Sequence, residues 1–309
     1  MSPLSEPPEL IDTYSGVRTY LDTISSTDTL YIDLEGKSLS RHGTLTIVTI
    51  FVASTGKATL IDVTKLGRSA FVVSGSTLKT LGQILENGNI TKYFWDLRND
   101  ADALWSHHQV RLAGAIDVQL MENASRSGDK TYLRGLQTCV EHDLHLGFME
   151  RHRWAKIKKD MKPFMSGDIF AKRPLADTTK AYCAGDVIYL PSLRDTYSSK
   201  LSPEWSAKVI AESERRVDMA CSPSYDPNSA DKKFGPWSTG SRNSMVSGKT
   251  MMTLDELLDR MEEDRMDALE QEYLGGYDDP DYYYDDDDFG KCSADAAFDD
   301  TFDSCWDKN

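Results

Sequence analysis

Cysteines are few and long apolar runs are missing in this chain of 309 residues. Its five cysteines form no Cys-x-x-Cys pair and no dense framework, which argues against a disulfide-stapled domain and is typical of a reducing compartment. No stretch approaches the ~18–20 apolar residues of a membrane span. The N-terminal residues MSPLSEPPELIDTY have neither the basic start nor the apolar run of a secretory signal. We therefore expect a protein of the cytoplasm or nucleus that is neither secreted nor bound to a membrane.

Basic residues are scarce only towards the C-terminus. Residues 221–309 contain 8 Lys and Arg against 23 Asp and Glu, which accounts for the whole net charge of −15, and residues 1–220 contain 27 of each sign. The low isoelectric point therefore describes the last third of the chain. A neutral domain can still carry a basic groove, so the charge does not exclude a nucleic-acid substrate.

Composition divides the chain into five segments. Residues 1–12 are proline-rich and predict a flexible lead-in, whereas residues 13–220 carry the regular patterns of a folded domain. Ser, Gly, Pro and Asn dominate residues 221–252, which is typical of a linker. Thr253-Leu-Asp-Glu256 is a capping box ahead of an apolar stripe and predicts an amphipathic helix over residues 253–274. Asp and Tyr dominate residues 275–309, a composition that cannot bury a core and predicts a disordered acidic tail.

The folded segment starts with strands and continues with helices. Three β-rich runs with short connections predict an antiparallel meander, and two further strands follow: Thr29–Glu35, Thr44–Ala53, Lys57–Val63, Ile90–Trp95 and Ala115–Val118. Helical spacing predicts helices over Thr77–Glu86, Asn99–His108, Tyr132–Leu144, Asp177–Ser199 and Pro203–Ala220. Pro191 should kink the fourth of these helices or end it at Leu190. This order favours an α/β fold in which a mixed sheet is covered by helices.

Two acidic residues end the first of these strands. Because strand side chains alternate, Asp33 and Glu35 project to one face while Ile32 and Leu34 face the other. Like charges repel and their desolvation is costly, so a divalent cation is the simplest compensation. An Asp-x-Glu pair is also common at solvated strand ends and does not identify a metal site by itself.

Two later segments carry further acids. In Tyr182-Cys-Ala-Gly-Asp186, a helix would place Tyr182 and Asp186 on one face, although a surface hydrogen bond also explains such a pair. The segment in which a predicted strand leads into the next helix carries Asp96, Asp100 and Asp102. Acids in a first turn suit the helix dipole, and this argument does not choose among the three.

Taken in order, these segments resemble the three motifs of the DEDD superfamily of 3′–5′ exonucleases. Asp33 and Glu35 match the first motif, and Tyr182 with Asp186 matches the tyrosine form of the third. Asp100 matches the second motif by its Arg-x-Asp placement, with Asp96 as the reserve choice.

The match extends beyond the acids to the ribonuclease-D-like "3′–5′ exonuclease domain" family of fungi and animals. It covers roughly residues 29–197, through Asp33–Gly43, Arg98–Leu104, Arg173-Pro-Leu175 and Asp186-Val-Ile-Tyr-Leu190. One departure lies in the second strand, where the family often carries a glutamine and this chain has Val48-Thr49-Ile50.

The resemblance implies a ribonuclease-H-like α/β domain that hydrolyses phosphodiester bonds of single-stranded RNA or DNA with two divalent ions. By similarity, Asp33 bridges both ions, Glu35 and Asp186 complete the first site, and Asp100 holds the second. Tyr182 would orient the attacking water. All-oxygen ligands favour Mg²⁺ or Mn²⁺ over zinc.

A basic stretch lies between the second and third motifs. It contains Arg151, Arg153, Lys156, Lys158, Lys159 and Lys162, with Trp154 and Phe164 nearby. Contact with nucleic-acid phosphates and a solvated basic helix both explain this pattern.

Two alternatives to catalysis stay open. Some members of the resembled family have lost acids and act as nucleic-acid-binding scaffolds, whereas this chain retains all four acids and the tyrosine. The acidic tail is a second candidate for function, because its charge suits a basic protein partner or competition with substrate for the basic stretch.

Overall fold

The computed structural model describes residues 7–76, 79–165 and 167–237. Within these residues, six strands form one sheet: β1 (Glu9–Ile11), β2 (Thr29–Glu35), β3 (Ile47–Val52), β4 (Lys57–Asp62), β5 (Thr91–Phe94) and β6 (Ala115–Asp117). The strand order is β1-β4-β3-β2-β5-β6. Strands β2, β3 and β4 form an antiparallel meander, whereas β1 pairs with β4, and β5 with β2 and β6, in parallel. The predicted mixed sheet is therefore confirmed.

Helices cover both faces of this sheet. In the described residues they are α1 (Tyr14–Leu21), α2 (Val63–Leu66), α3 (Ser69–Val72), α4 (Leu81–Glu86), α5 (Arg98–His108), α6 (Val118–Ser125), α7 (Leu136–Asp143), α8 (Phe148–Met161), α9 (Asp177–Ile188), α10 (Leu190–Ser198) and α11 (Pro203–Cys221). Leu30 and Ile32 of β2 pack in one core with α1, α4 and α5, whereas Tyr31 packs in the other core with α6 to α10. No helix in the described ranges is long and apolar enough to cross a membrane.

Several helix ends differ from their predicted positions for identifiable reasons. The predicted helix Asp177–Ser199 ends at Ile188 and restarts at Leu190, because Pro191 cannot continue the hydrogen-bond ladder. Helix α4 begins only at Leu81, because Thr80 forms a capping box with Gln83. Periodicity also failed to reveal α1 and α6, which have only eight residues each.

Two predicted segment boundaries are wrong. Glu9–Ile11 is a strand of the sheet, so the predicted flexible lead-in does not extend to residue 12. The predicted linker does not begin at residue 221, because the chain up to Trp237 packs on the domain. The Tyr225 hydroxyl donates to Asn99 Oδ1 at 2.8 Å, and the rings of Trp205 and Trp237 have centroids 5.4 Å apart.

The remaining predictions on the segments of the chain concern residues beyond the described ranges. The rest of the linker, the amphipathic helix over 253–274 and the acidic tail over 275–309 all lie there.

Candidate metal centre

Strand β2 ends in the two acids of the first motif. The register with β3 pairs Asp33 with Thr49. Glu35 is buried and Asp33 is partly exposed. The chain turns immediately afterwards at Gly36, where an added Cβ would lie 1.8 Å from the carbonyl oxygen of Thr44. Only glycine allows this close return of the chain beside Glu35.

Helix α9 brings the third motif against the same strand. Asp186 is buried, and Tyr182 lies one turn before it. Between them, Gly185 lets α8 approach, because an added Cβ there would lie 3.3 Å from Nε1 of the buried Trp154. Close packing of α8 on α9 therefore places Lys158 of the basic stretch beside the carboxylates.

Three carboxylates meet where β2 and α9 touch. Oxygen atoms of Asp33, Glu35 and Asp186 all lie within 4.8 Å of one another. Oε1 of Glu35 is buried without a hydrogen-bond partner, and Lys158 donates a hydrogen bond to Oδ1 of Asp186. The ammonium group is one positive charge beside three acids and stands in for a cation. This donor set, made of oxygen atoms with one unsatisfied, fits a divalent ion such as Mg²⁺ or Mn²⁺.

Asp100 lies beside this cluster, at the start of α5. Its Oδ1 accepts a hydrogen bond of 3.2 Å from the backbone N–H of Leu34, which lies between the two acids of β2. Asp100 is buried but is not among the three acids whose oxygens converge within 4.8 Å. The structure therefore places it at the edge of the cluster.

The other two acids of the second motif have arginine partners. Asp96 forms a bidentate pair with Arg98, with nitrogen–oxygen distances of 2.5 and 2.7 Å. Asp102 accepts hydrogen bonds of 2.7 Å from both the backbone nitrogen and Nε of Arg41. Of the three acids Asp96, Asp100 and Asp102, Asp100 is the one that has no arginine partner among the described residues.

Burial raises the pKa of every acid in the site. For Asp33 the loss of hydration is the main cause, and the charges of Glu35, Asp186 and Asp100 add to it. The pKa of Glu35 rises through burial and the charge of Asp186, and burial raises the pKa of Asp100 to about 8. The pKa of Asp186 is raised by burial and held back by Lys158. A bound cation would reverse these shifts, because it favours the charged form of each carboxyl.

Lys158 differs from the rest of the basic stretch. Its ammonium lies 3.9 Å from the ring centroid of Tyr182 as well as against Asp186, and its side chain is only 13 % exposed. The other five residues are exposed, namely Arg151, Arg153, Lys156, Lys159 and Lys162. Lys158 lies one turn after Trp154 and faces α9, whereas nucleic-acid contact by the six residues stays a prediction.

Two arginines of the resembled motifs hold the loops around the site. Nη2 of Arg41 donates to the carbonyls of Ala220 and Ser222 at 2.8 Å each, which ties the loop after β2 to the end of α11. Arg173 forms a bidentate pair with the buried Asp62, at 2.5 and 2.6 Å, just ahead of α9. Both arginines therefore position segments that carry the acids.

Thr49 lies in the stretch Val48-Thr49-Ile50, where the resembled family often has a glutamine. It is fully buried opposite Asp33, and its hydroxyl has no hydrogen-bond partner among the described residues. The departure from the family pattern therefore lies directly beside the carboxylates.

A second group of potential ligands is neutralised by neighbouring side chains. Glu122, Cys139 and Asp143 also bring ligand atoms within 4.8 Å of one another. Arg126 forms a bidentate pair with Glu122, however, and the Tyr197 hydroxyl donates to Asp143 at 2.6 Å. These acids therefore already have partners.

Sequence comparison decides which family carries this arrangement. Residues 8–202 match the model of the 3′–5′ exonuclease family, and this span contains all four acids and Tyr182. The chain belongs to the 3′–5′ exonuclease family. It is accordingly a nuclease of the hydrolase class. A search of curated proteins found no match to the sequence of this chain.

Solved structures with the same fold include RNase D. The complex of Trypanosoma brucei RNase D with GMP has a TM-score of 0.60 at 18% identity, covering 81% of this chain and 78% of that one. The complex of the same enzyme with RNA U12 has a TM-score of 0.57 at 19% identity, covering 72% of each chain. The catalytic core of T. brucei RRP6 has a TM-score of 0.53 at 17% identity, covering 70% of this chain and 53% of that one. The predicted exonuclease domain and its fold are confirmed, whereas the narrower fungal and animal grouping stays a prediction.

Proposed function

We propose that this exonuclease removes nucleotides from the 3′ end of single-stranded nucleic acid, using two divalent cations. Asp33, Glu35 and Asp186 would hold one ion and Asp100, with Asp33, the other. One observation carries the proposal: oxygen atoms of three carboxylates lie within 4.8 Å of one another, and Oε1 of one of them, Glu35, is buried without a hydrogen-bond partner.

Asp33 would contribute an oxygen to both ions. The charges of Glu35, Asp186 and Asp100 all raise its pKa, which supports this assignment because it shows that Asp33 lies near the acids assigned to each ion. Divalent ions supply acidification of the attacking water and stabilisation of charge on the leaving 3′ oxygen. The protein contributes a strand end and two helices that hold the carboxylates close despite their repulsion.

Tyr182 would orient the attacking water by a hydrogen bond. Burial and the nearby charges of Asp186, Glu35 and Asp33 raise the pKa of its phenol, which therefore stays protonated at neutral pH. A protonated phenol is a donor and a positioning group rather than a general base.

RNA is the substrate class to test first, since T. brucei RNase D is seen with RNA U12. The full-length chain is incubated with 5′-labelled and 3′-labelled RNA and DNA oligonucleotides in Mg²⁺, Mn²⁺ or EDTA. We expect a metal-dependent ladder from the 5′-labelled strands and immediate release of a labelled mononucleotide from the 3′-labelled strands. Binding without cleavage in both metals would instead support a scaffold module of the same fold.

A further inference from the structure

Exposed apolar side chains lie at the start of α8 and just after its end. Among the described residues eight large apolar side chains are exposed, and four of them are Phe148, Met149, Phe164 and Met165. Phe148, the first residue of the helix, is 81% exposed. Single exposed apolar residues are normal in a soluble protein, but a cluster marks an interaction surface.

Two aromatic rings lie together on the outer face of this helix. Phe148 and His152 are one turn apart, with ring centroids 6.2 Å apart and planes inclined by 13°. Both are exposed, whereas Trp154 and Met161 on the opposite face are buried. The outer face therefore presents nearly parallel π-surfaces to solvent.

Basic residues continue this face. Lys156 and Lys159 follow His152 at helical spacing, and Arg151 and Arg153 flank it. The two acids of the helix, Glu150 and Asp160, offset part of this charge. Asp160 pairs with Lys156 at 3.6 Å. Glu150 accepts a hydrogen bond from Tyr189, which lies between α9 and α10.

We propose that the outer face of α8 binds single-stranded nucleic acid upstream of the reacting 3′ end, with unpaired bases stacked on Phe148 and His152. Parallel rings beside basic side chains are the combination by which proteins hold single strands without reading sequence. A double strand keeps its bases stacked on one another and offers no free π-face to the rings. The inference deepens the proposed function, on which it rests for the direction of the strand.

The fold sets the position of the base that stacks. Lys158 contacts Asp186 in the carboxylate site, and Phe148 lies ten residues earlier on the same helix. At about 1.5 Å per residue this is about 15 Å along the axis. Stacked nucleotides advance about 3.4 Å each, so for a strand that runs along the axis of α8 the platform engages a base roughly four nucleotides from the 3′ end.

Length dependence of binding tests this position. The full-length chain carrying Asp33→Asn, with or without Phe148→Ala, is titrated into 5′-fluorescein oligouridylates of 3, 6 and 12 nucleotides in Mg²⁺. We expect Phe148→Ala to weaken binding of the 6-mer and 12-mer about 5- to 100-fold and to leave the 3-mer unchanged. Phe148→Trp should restore affinity, and Tyr14→Ala, which removes an exposed aromatic ring on α1, should have no effect.

The outcomes separate this inference from the proposed function. The platform is overturned if Phe148→Ala leaves the affinity unchanged at every oligonucleotide length, or if it weakens binding of the 3-mer as much as binding of the 12-mer. Either result would hold even if the chain is an active exonuclease. Loss of 12-mer affinity on Phe148→Ala, together with no cleavage by the chain that retains Asp33, supports the platform and overturns catalysis. As a second readout, Arg151→Gln should reduce the slope of log affinity against log salt by about 1, whatever the base sequence.

Discussion

Lys158 donates a hydrogen bond to the carboxylate of Asp186 from a position 3.9 Å above the ring of Tyr182. The ammonium thus occupies the position of a cation at the edge of the three-carboxylate cluster. A divalent ion must compete with it for Asp186, because both are held by the same negative charge.

Replacement of Lys158 should therefore tighten metal binding. We expect Lys158→Met to raise the affinity for Mn²⁺ on the order of tenfold. Removal of the positive charge should relieve about 1–2 kcal/mol of repulsion between the lysine and the ion, and this energy corresponds to about that factor. Free Mn²⁺ measured by electron paramagnetic resonance gives the affinity. Lys156→Met, a change on the exposed side of the same helix, should leave it unchanged. Weaker binding by Lys158→Met would mean that the lysine organises the carboxylates instead of competing with the ion.

Asp33 and Asp102 should respond in opposite ways to substitution by asparagine. Asp33→Asn should abolish cleavage while raising or preserving Tm in EDTA, because it relieves repulsion by Glu35 and Asp186. Asp102→Asn should instead lower the free energy of unfolding by roughly 1.5–3 kcal/mol, because Arg41 loses its charged partner. Calorimetry and the oligonucleotide assay measure both effects. Normal turnover by Asp33→Asn would rule out its role as the bridging ligand.

Removal of the Tyr182 hydroxyl should affect turnover more than binding. Tyr182→Phe keeps the ring that packs under Lys158 and against Phe170. We expect kcat to fall about ten- to a thousandfold, with nucleic-acid affinity nearly unchanged. Single-turnover cleavage and anisotropy separate the two quantities. An unchanged rate would leave Tyr182 with a packing role only.

The metal-free protein should lose stability as pH rises. Asp100 titrates near pH 8 in the folded protein and near pH 4 when unfolded, so the folded state binds more protons between these values. The free energy of unfolding must therefore fall from about pH 4 to about pH 8. Denaturant unfolding in EDTA at several pH values checks this slope. Asp100→Asn should flatten it, and saturating Mg²⁺ should oppose it; a slope identical in wild type and variant would contradict the assignment.

Thr46 and Thr49 lie three residues apart and differ in whether the buried hydroxyl has a hydrogen-bond partner, so the same substitution can be compared at both. The hydroxyl of Thr49 is buried without a partner, whereas that of Thr46 donates to the carbonyl of Glu35 at 2.8 Å. Thr49→Val should raise the free energy of unfolding of the metal-free protein by about 1 kcal/mol, and Thr46→Val should lower it by a similar amount. Denaturant midpoints at constant slope give both values. Destabilisation by Thr49→Val would show that its hydroxyl has a partner after all.

The strands and the acids at their ends were predictable because alternation along a strand is a local property. Thr29–Glu35 was predicted with its observed bounds, and the direction of its acids follows from the same periodicity. The choice among Asp96, Asp100 and Asp102 depends on longer contacts. Arg98 lies only two residues from Asp96, but the partner of Asp102 is 61 residues away in sequence, so no local pattern reveals it.

Other features of the fold could not be predicted because their sequences are too short or too irregular to show a periodic pattern of apolar residues. Strand β1 has three residues, and residues after Cys221 are held by hydrogen bonds to distant parts of the domain such as Asn99. The inward direction of Lys158 did carry a signal, because it lies four residues after the large apolar Trp154 and therefore on the same face of the helix.

The clasp formed by Arg41 also has a consequence for synthesis of the chain. Its acceptors, Ala220 and Ser222, are about 180 residues downstream. At about 5–20 residues per second, a ribosome delivers them roughly 10–40 s after Arg41 itself. During that interval the loop that follows Asp33 and Glu35 lacks its anchor, so the nascent chain carries its acidic strand end well before the site around it is closed. Completion of this nuclease centre is therefore one of the last events of domain synthesis, which delays the appearance of hydrolytic competence until nearly the whole folded unit has left the ribosome.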